Sequence, residues 1–349
     1  MQRSIGRVGA AVAASLLVIA LTAGPAFACG GLIGPNGAVN LLRTTTLAGY
    51  HDGNEHYITA FQFAGGGGAF GSLTPLPGIP SSVEKGGDWT LQRLIRETNP
   101  IPESTLRATA GGDSAEELLK VRIDALDITV LRGGSAAVGQ WATEHGFRLP
   151  PDAPEVLDFY AARSPIFLAA VFDADAAAER SQAIGDGTPV HITIPTDNPW
   201  VPLRILALGK TPTERIDADV YLLTDRTPAL LPAPTGENGL TLGHSAPASQ
   251  SLLDDLRSDR GMGWVPDRGW LTKVGIDAAA PQLAFDLAID ASGAGTPSRA
   301  MAGLDLAGGP VVPERTVEVL RIILGLTLTV GGLGGLLLLA WRRPPLPTA

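Results

Sequence analysis

The chain has 349 residues, of which 45% are hydrophobic, and its formal net charge is −9. Five of its 26 basic residues lie in the two hydrophobic ends, so residues 29–320 carry 21 basic and 35 acidic side chains. Such a negative domain argues against nucleic-acid binding, because the phosphate backbone repels it. Cys29 is the single cysteine, which excludes an intrachain disulfide and any zinc or iron–sulfur site built from cysteines.

Residues 1–28 have the pattern of a secretory signal peptide. Arg3 and Arg7 form a basic start, an apolar run follows that is too short to span a membrane comfortably, and small residues precede a cleavage point. The mature chain then begins at Cys29, which is a candidate lipidation site. Plain cleavage is favoured over lipidation, because Ala26 stands where a lipobox usually has leucine.

Segments 40–50 and 56–63 predict two antiparallel strands joined by a turn at Asp52-Gly53, since both turn residues can adopt positive φ. On the second strand the side chains alternate between two faces. This alternation predicts a half-buried strand.

The turn sequence HDGNEH holds the candidate metal site. Both registers of the hairpin put His51 and His56 on one face, with Cβ atoms about 5 Å apart in one register and about 7–8 Å apart in the other. Together with Glu55 they are candidate ligands for zinc or another divalent ion. The alternative is a solvated polar turn without a metal.

The rest of the domain is predicted as strands interrupted by short helices. Helices are predicted at 89–98, 135–145, 152–163 and 251–257, with Asp88 capping the first and Asp152 and Glu155 forming a capping box at the third. Strands are predicted at 118–131, 166–172, 190–194, 203–208, 220–224, 270–274 and 283–289. Because strands dominate without regular β-α-β alternation, the fold class of the extracytoplasmic domain, residues 29–292, is α+β with mainly antiparallel strands.

Two segments are rich in small residues, proline or glycine. Residues 227–247 are predicted as an excursion or a boundary between two subdomains. Residues 293–318 are predicted as a flexible stalk that leads to the membrane.

Residues 322–341 supply 20 uncharged positions, enough to cross a hydrocarbon core, and predict one transmembrane helix within 319–341. Two arginines follow directly, so the tail 342–349 is expected in the cytoplasm and the large domain outside. Gly331 and Gly335 have the GxxxG spacing that can pack two such helices into a dimer.

Trp264 and Trp270 lie close together in the segment GMGWVPDRGW. One interpretation is an exposed aromatic pair that binds a glycan or a peptide. The other is that both side chains pack in or beside the core.

Several motifs, in this order, resemble a bacterial envelope family, the domain-of-unknown-function 2330 family. They are ACGG, HDGNEHYITAF, GSLTPLP, DWTLQRLIRE, WATEHGFRLPPDAPEVLDFY and ITIPTDNPWVPLRILAL, and they run from Cys29 to about Thr224. The resemblance implies a secreted or membrane-tethered protein. It brings no established activity, substrate or catalytic residue.

The sequence therefore predicts a single-pass, membrane-anchored envelope protein that acts as a binding or assembly module without catalysis. Its expected partners are the lipid bilayer, through 319–341, and an envelope protein or a cell-wall component. No catalytic residue and no cofactor are predicted. The alternative is a metal-dependent hydrolase that uses His51 and His56.

Overall fold

A computed structural model describes residues 31–34, 37–38, 44–60, 70–99, 121–123, 126–172, 189–293 and 295–305. The predictions for residues 1–28, Cys29 and the segment 319–341, which contains Gly331 and Gly335, fall outside these residues. None of the helices in the described ranges combines the length and the apolar character needed to cross a bilayer.

Within the described residues, sixteen strands form two large sheets and one small sheet. The strands are β1 (Gly31–Gly34), β2 (Gly37–Ala38), β3 (Thr44–His51), β4 (Asn54–Ala60), β5 (Phe70–Leu76), β6 (Ser82–Lys85), β7 (Val121–Ile123), β8 (Leu126–Arg132), β9 (Ile166–Phe172), β10 (Pro189–Pro195), β11 (Trp200–Val201), β12 (Arg215–Thr224), β13 (Ala229–Leu231), β14 (Leu240–Pro247), β15 (Trp270–Ala279) and β16 (Leu287–Asp290). Their order is β14-β15-β12-β3-β4-β10-β6 in the seven-stranded sheet, β2-β1-β5-β9-β8-β7 in the six-stranded sheet and β11-β16-β13 in the small one.

Among the described strands, β3 and β12 are the one parallel pair, and every other pairing is antiparallel. Four α-helices accompany them in the part of the chain that the structure describes: α1 (Thr90–Thr98), α2 (Ser135–Glu144), α3 (Ala153–Ala161) and α4 (Gln250–Ser258). A mixed fold of mostly antiparallel strands with a few short helices confirms the predicted class.

The elements stack in four layers, each burying one apolar face against the next. The two large sheets pack face to face over a core that includes Tyr57, Leu168 and Val220. Helices α2 and α3 cover the outer face of the six-stranded sheet, and α1 and α4 cover the outer face of the seven-stranded sheet. Burial of these apolar side chains is the dominant favourable contribution to folding.

The predicted hairpin is confirmed, and its turn is Asp52-Gly53. His51 pairs with Asn54, and the two turn residues have φ of 49° and 74°, as a two-residue hairpin loop requires. The prediction that the second strand is half-buried was wrong. Strand β4 is buried on both faces, because the helix layer covers the face opposite the sheet-on-sheet core.

Residues 203–208 do not form the predicted strand; residues Arg204–Ala207 form a 3₁₀ turn. The apolar run has the composition of a strand, but its backbone donors bond to distant side chains. The Leu203 N–H donates to Asp286 Oδ1 at 2.7 Å, and the Ile205 N–H donates to the Tyr160 hydroxyl at 2.8 Å. These tertiary partners replace the neighbouring strand that a ladder would need.

Asp286 is a fully buried carboxylate that joins three parts of the chain. It accepts a hydrogen bond from the Tyr160 hydroxyl at 2.9 Å and forms an ion pair with Arg163. Arg163 also donates to the Met301 carbonyl. The network therefore ties α3 and the 3₁₀ turn to the segment that follows β16.

Both helix caps predicted from sequence were wrong. Asp88 lies before α1, but its side chain makes no cap hydrogen bond; Asp259, beyond the end of α4, accepts the Trp89 N–H at 3.0 Å instead. Asp152 precedes α3 but accepts the Gly209 N–H at 3.0 Å and so makes no local cap. In both cases a tertiary contact has replaced the local one.

Residues 227–247, predicted as an excursion or a boundary, and part of the predicted stalk belong to the packed fold. Residues 227–247 contain β13 and β14, and β14 pairs with β15 in the seven-stranded sheet. The prediction of a flexible stalk was wrong for residues 295–305: Ala302 is fully buried, and its carbonyl accepts the Asp286 N–H at 3.0 Å. Residues from 306 onward lie outside the described part.

Candidate functional site

One face of the seven-stranded sheet carries four of the five histidines. His244 lies apart on the edge strand β14, and the other three lie on neighbouring strands. His51 lies on β3, His56 on β4 and His191 on β10. The register pairs His56 with Gly49 and with Thr193. Cross-strand partners share a face, so the three imidazoles lie under the layer formed by α1, α4 and the loop after α4.

His56 and His191 form a buried imidazole pair. His56 Nδ1 lies 3.0 Å from His191 Nε2, so one nitrogen donates and the other accepts when both rings are neutral. The second nitrogen of His191, Nδ1, is buried without a hydrogen bond, 4.0 Å from Glu84 Oε1. The two neutral rings are thus joined by one N–H···N hydrogen bond.

Burial keeps both imidazoles uncharged. It lowers the pKa of His191 to about 4. Burial, together with the neighbouring His191 and His51, lowers the pKa of His56 to about 3. Both values lie below the ordinary value of an exposed histidine, about 6.5, so the rings are neutral at pH 7.

Trp264 covers this pair from the loop between α4 and β15. Its ring stacks on His56 with centroids 4.0 Å apart and an interplanar angle of 1°. The indole also fills the space above Gly49, where an added Cβ would lie 2.0 Å from the ring. Only glycine therefore fits at position 49 while Trp264 keeps its place.

The predicted pair of exposed tryptophans is not present in that form. Trp264 is half-buried and stacks on His56. Trp270 is also half-buried, and its indole N–H donates to Ser245 Oγ at 2.9 Å. The two rings thus have different partners.

The structure does not bring the three predicted metal ligands together. His51 Nδ1 lies 2.8 Å from Asp225 Oδ1, while His56 contacts His191. Glu55 is fully buried on the opposite face of β4, and burial raises its pKa to about 8, against a smaller opposing effect of the Trp200 N–H. Among the residues that the structure describes, no three His, Cys, Asp or Glu side chains are grouped to hold a metal ion.

The His51–Asp225 contact lies beside a groove of about 710 Å³ at the hairpin turn. Four carboxylates line it, from Asp52, Asp197, Asp225 and Asp290, with the guanidinium of Arg226. This set, the acidic groove, has an excess of negative charge. It can bind a cationic group by charge-assisted hydrogen bonds.

Two contacts fix the walls of the acidic groove. The Tyr50 hydroxyl donates to the Thr196 carbonyl at 3.0 Å, and Asp290 Oδ1 accepts the Ser292 N–H at 2.8 Å. Burial, together with nearby Asp197, Glu55 and Asp225, raises the pKa of Tyr50. Tyr50 is therefore a neutral donor on the wall of the groove.

Sequence reasoning missed His191, Asp225 and Asp290 as parts of these sites. His191 is 135 residues from His56, and Asp225 is 174 residues from His51. The one local signal for His191 was its position in a segment that was predicted as a strand. Strand order, which the sequence does not show, is what brings these residues to the hairpin.

Comparison with known proteins gave a family match and several similar solved structures. A search of curated proteins found no match. A mutated baculovirus P35 after caspase cleavage is similar at 7% identity over 72% of this chain and 98% of that chain, with a TM-score of 0.38. Baculovirus P35 itself is similar at 9% identity over 71% of this chain and 96% of that one, with a TM-score of 0.37. Scores this low support no inference about this chain.

The family match rests on sequence. The model of a family described as "Uncharacterized protein conserved in bacteria (DUF2330)" matches residues 24–229. This range is more than half of the chain and contains β1 to β12, including the hairpin and the His56–His191 pair. The chain therefore belongs to the DUF2330 family of bacterial proteins.

Proposed function

We propose that this chain is a single-pass, membrane-anchored protein of the bacterial envelope whose outer domain binds a basic segment of a partner protein in the acidic groove. The observation that carries the proposal is the placement of four aspartates around one space of about 710 Å³. The domain acts as a binding module, and no catalytic step is assigned to it.

The groove has the features of a site for lysine or arginine side chains. Carboxylates held in fixed positions pair with guanidinium and ammonium groups, and Arg–carboxylate pairs can be bidentate. Asp225 is oriented by His51, and Asp290 by the Ser292 N–H. The excess of acidic over basic residues in 29–320 also attracts a basic partner over longer distances.

The membrane location rests on the ends of the chain. The signal-peptide pattern of residues 1–28 supports export, and the uncharged segment within 319–341 supports one span. The arginines after it favour an outer position for the domain and a cytoplasmic tail at 342–349.

The alternative, a metal-dependent hydrolase built on His51 and His56, has less support from the geometry. The two imidazoles have different partners, and Glu55 lies on the other face of the strand. A rise in melting temperature with zinc that His51→Ala abolishes would favour this alternative over the binding module.

The acidic groove is tested by peptide binding to the full-length protein. We expect a fluorescent arginine-rich peptide to bind in a salt-dependent manner, and Asp197→Asn with Asp225→Asn to weaken binding at least about tenfold, since charged pairs at such sites contribute this much. Asp267→Asn, at a side chain that is 95% exposed and outside the groove, is the matched control and should change affinity less than about twofold. Equal affinity of the double variant and the wild type contradicts the proposal.

A further inference from the structure

We propose that the His56–His191 pair is an acid-sensitive switch that releases Trp264 when the imidazoles take up protons. The moving part is the Trp264 loop, defined as residues 259–269 between α4 and β15. The imidazole pair and the Trp264 loop lie outside the acidic groove.

The contact between the two rings depends on their charge. At 3.0 Å, His56 Nδ1 and His191 Nε2 share one hydrogen. Each imidazolium has two N–H donors and no acceptor, so two protonated rings cannot keep this contact. His191 Nδ1 is buried without a partner, and a proton there would have no acceptor unless the ring moved.

Movement of the two imidazole rings would directly change the contacts of the Trp264 loop. The indole stacks on His56 and fills the space above Gly49. The backbone at Gly261 lies beside His191, because an added Cβ there would be 3.6 Å from Nδ1. Separation of the rings therefore disturbs both contacts of the loop with β4 and β10.

The strands next to the pair bring two further titratable groups toward it. Glu84 lies across from His191 on β6, and its carboxylate is 55% exposed and 4.0 Å away. His51 on β3 opposes protonation of His56, and its own partner is Asp225. Neither strand supplies a buried counter-ion.

The loop and the helices above the pair also carry charged side chains. Asp259 is engaged with the N-terminus of α1, where it accepts the Thr90 hydroxyl at 2.8 Å, and Arg260 follows it in the loop. Arg93 of α1 and Asp255 of α4 bond to each other at 2.7 Å. Within the described residues, none of these groups has a hydrogen bond to either imidazole.

Acid should therefore favour the open position of the Trp264 loop. Histidines that are solvated after opening regain a pKa near 6.5, whereas both are well below that value when the loop is closed. When the pH falls from 7.5 to 5.5, this difference in pKa raises the equilibrium constant for loop opening. The increase is up to about 100-fold if both rings titrate and about tenfold if one does.

Hydrogen exchange of the full-length protein measures this opening. After correction for intrinsic exchange rates, we expect the protection of residues 259–269 to fall at least about tenfold at pH 5.5 relative to pH 7.5, while α2 stays protected. His191→Gln, which leaves one titrating ring, should limit the fall to about tenfold or less, and His56→Gln with His191→Gln should abolish it. His145→Gln, at an exposed histidine after α2, should leave it unchanged.

Two results would overturn the switch. One is a parallel loss of protection in α2 and in residues 259–269, which means global unfolding. The other is an unchanged fall in the double variant. If that variant does not fold, imidazole titration of the wild type by NMR decides the matter, because two folded-state values near 6.5 with a protected loop contradict the proposal.

Discussion

Asp259 caps a helix to which it does not belong: its Oδ2 accepts the Thr90 hydroxyl at 2.8 Å and the Trp89 N–H at 3.0 Å at the start of α1. Its Oδ1 accepts the Asp88 N–H at 3.1 Å. One buried carboxylate thus satisfies donors that a helix leaves unpaired at its N-terminus. The contact also fixes the start of the Trp264 loop against α1.

Asp259→Ala should therefore lower the free energy of unfolding by about 1–3 kcal/mol, because it removes a cap and leaves buried donors unpaired. The measurement is urea unfolding of the full-length protein. Asp88→Ala is the matched control, since Asp88 is the local candidate for the cap yet is 55% exposed. It should cost less than about 0.5 kcal/mol, and a larger loss for Asp88→Ala than for Asp259→Ala contradicts the assignment.

Gly49→Ala should lower the free energy of unfolding by about 1–3 kcal/mol, because the new methyl group overlaps the Trp264 ring. In a Trp264→Ala background the same change should cost much less, since the space is empty. Thermal unfolding of the four proteins gives this coupling. Gly263→Ala, in the same loop with no atom within 4 Å of the added Cβ, should be close to neutral.

The dependence of stability on pH should have a maximum near pH 6.5, since two buried sites act in opposite directions. The folded-state pKa values of His56 and His191 are lowered, so their contribution is present above about pH 6.5 and is lost as the pH falls. The pKa of Glu55 is raised to about 8. Its contribution is present at low pH and is lost as the pH rises from about 4.5 to 8.

These three groups together predict a loss of about 1 kcal/mol at both pH 5 and pH 8, measured by urea unfolding across the range. Glu55→Gln should remove the loss on the alkaline side, because glutamine resembles the neutral acid and does not titrate. Glu84→Gln, at an exposed carboxylate on the edge strand β6, is the control. Its stability should still have a maximum near pH 6.5. A Glu55→Gln curve that still falls between pH 6.5 and 8 contradicts the assignment.

Asp286→Ala should cost about 3–5 kcal/mol, because it leaves the buried guanidinium of Arg163 without its counter-ion. Tyr160→Phe removes two hydrogen bonds of the same network, the one to Asp286 and the one from the Ile205 N–H, and should cost about 1–3 kcal/mol. Calorimetric melting of the full-length protein measures both. The exposed pair Arg215–Asp277 is the control, and Asp277→Ala should cost less than about 1 kcal/mol.

The sequence correctly predicted those elements that are determined by residues close together in the chain. The hairpin followed from Asp52-Gly53, and the helix predicted at 135–145 is α2, which ends just before Gly146 with a φ of 73°. The strand expected at 203–208 and the caps expected from Asp88 and Asp152 failed, because the decisive partners come from far along the chain. A periodic pattern gives no information about such partners.

For the candidate sites, too, the sequence predicted the local arrangement but not the partners from distant parts of the chain. The sequence placed His51 and His56 on one face of a hairpin, and the structure has them there. It could not show that His191 and Asp225 would be their partners, because strand order in a sheet is set by packing over the whole domain. Burial of Glu55 was equally hidden, since turns of this composition are usually solvated.

The parallel pairing of β3 with β12 has a consequence for how the chain must mature. Strand β12 lies in the middle of its sheet, between an early hairpin and the late pair β14 and β15. In a nascent chain the β3–β4 hairpin therefore lacks its neighbour β12 until more than 150 further residues have been synthesised. Pairing of segments so far apart in the chain is also slow. Throughout that interval the edge of β3 that β12 will cover is unpaired, and an unpaired strand edge can join a strand of another chain.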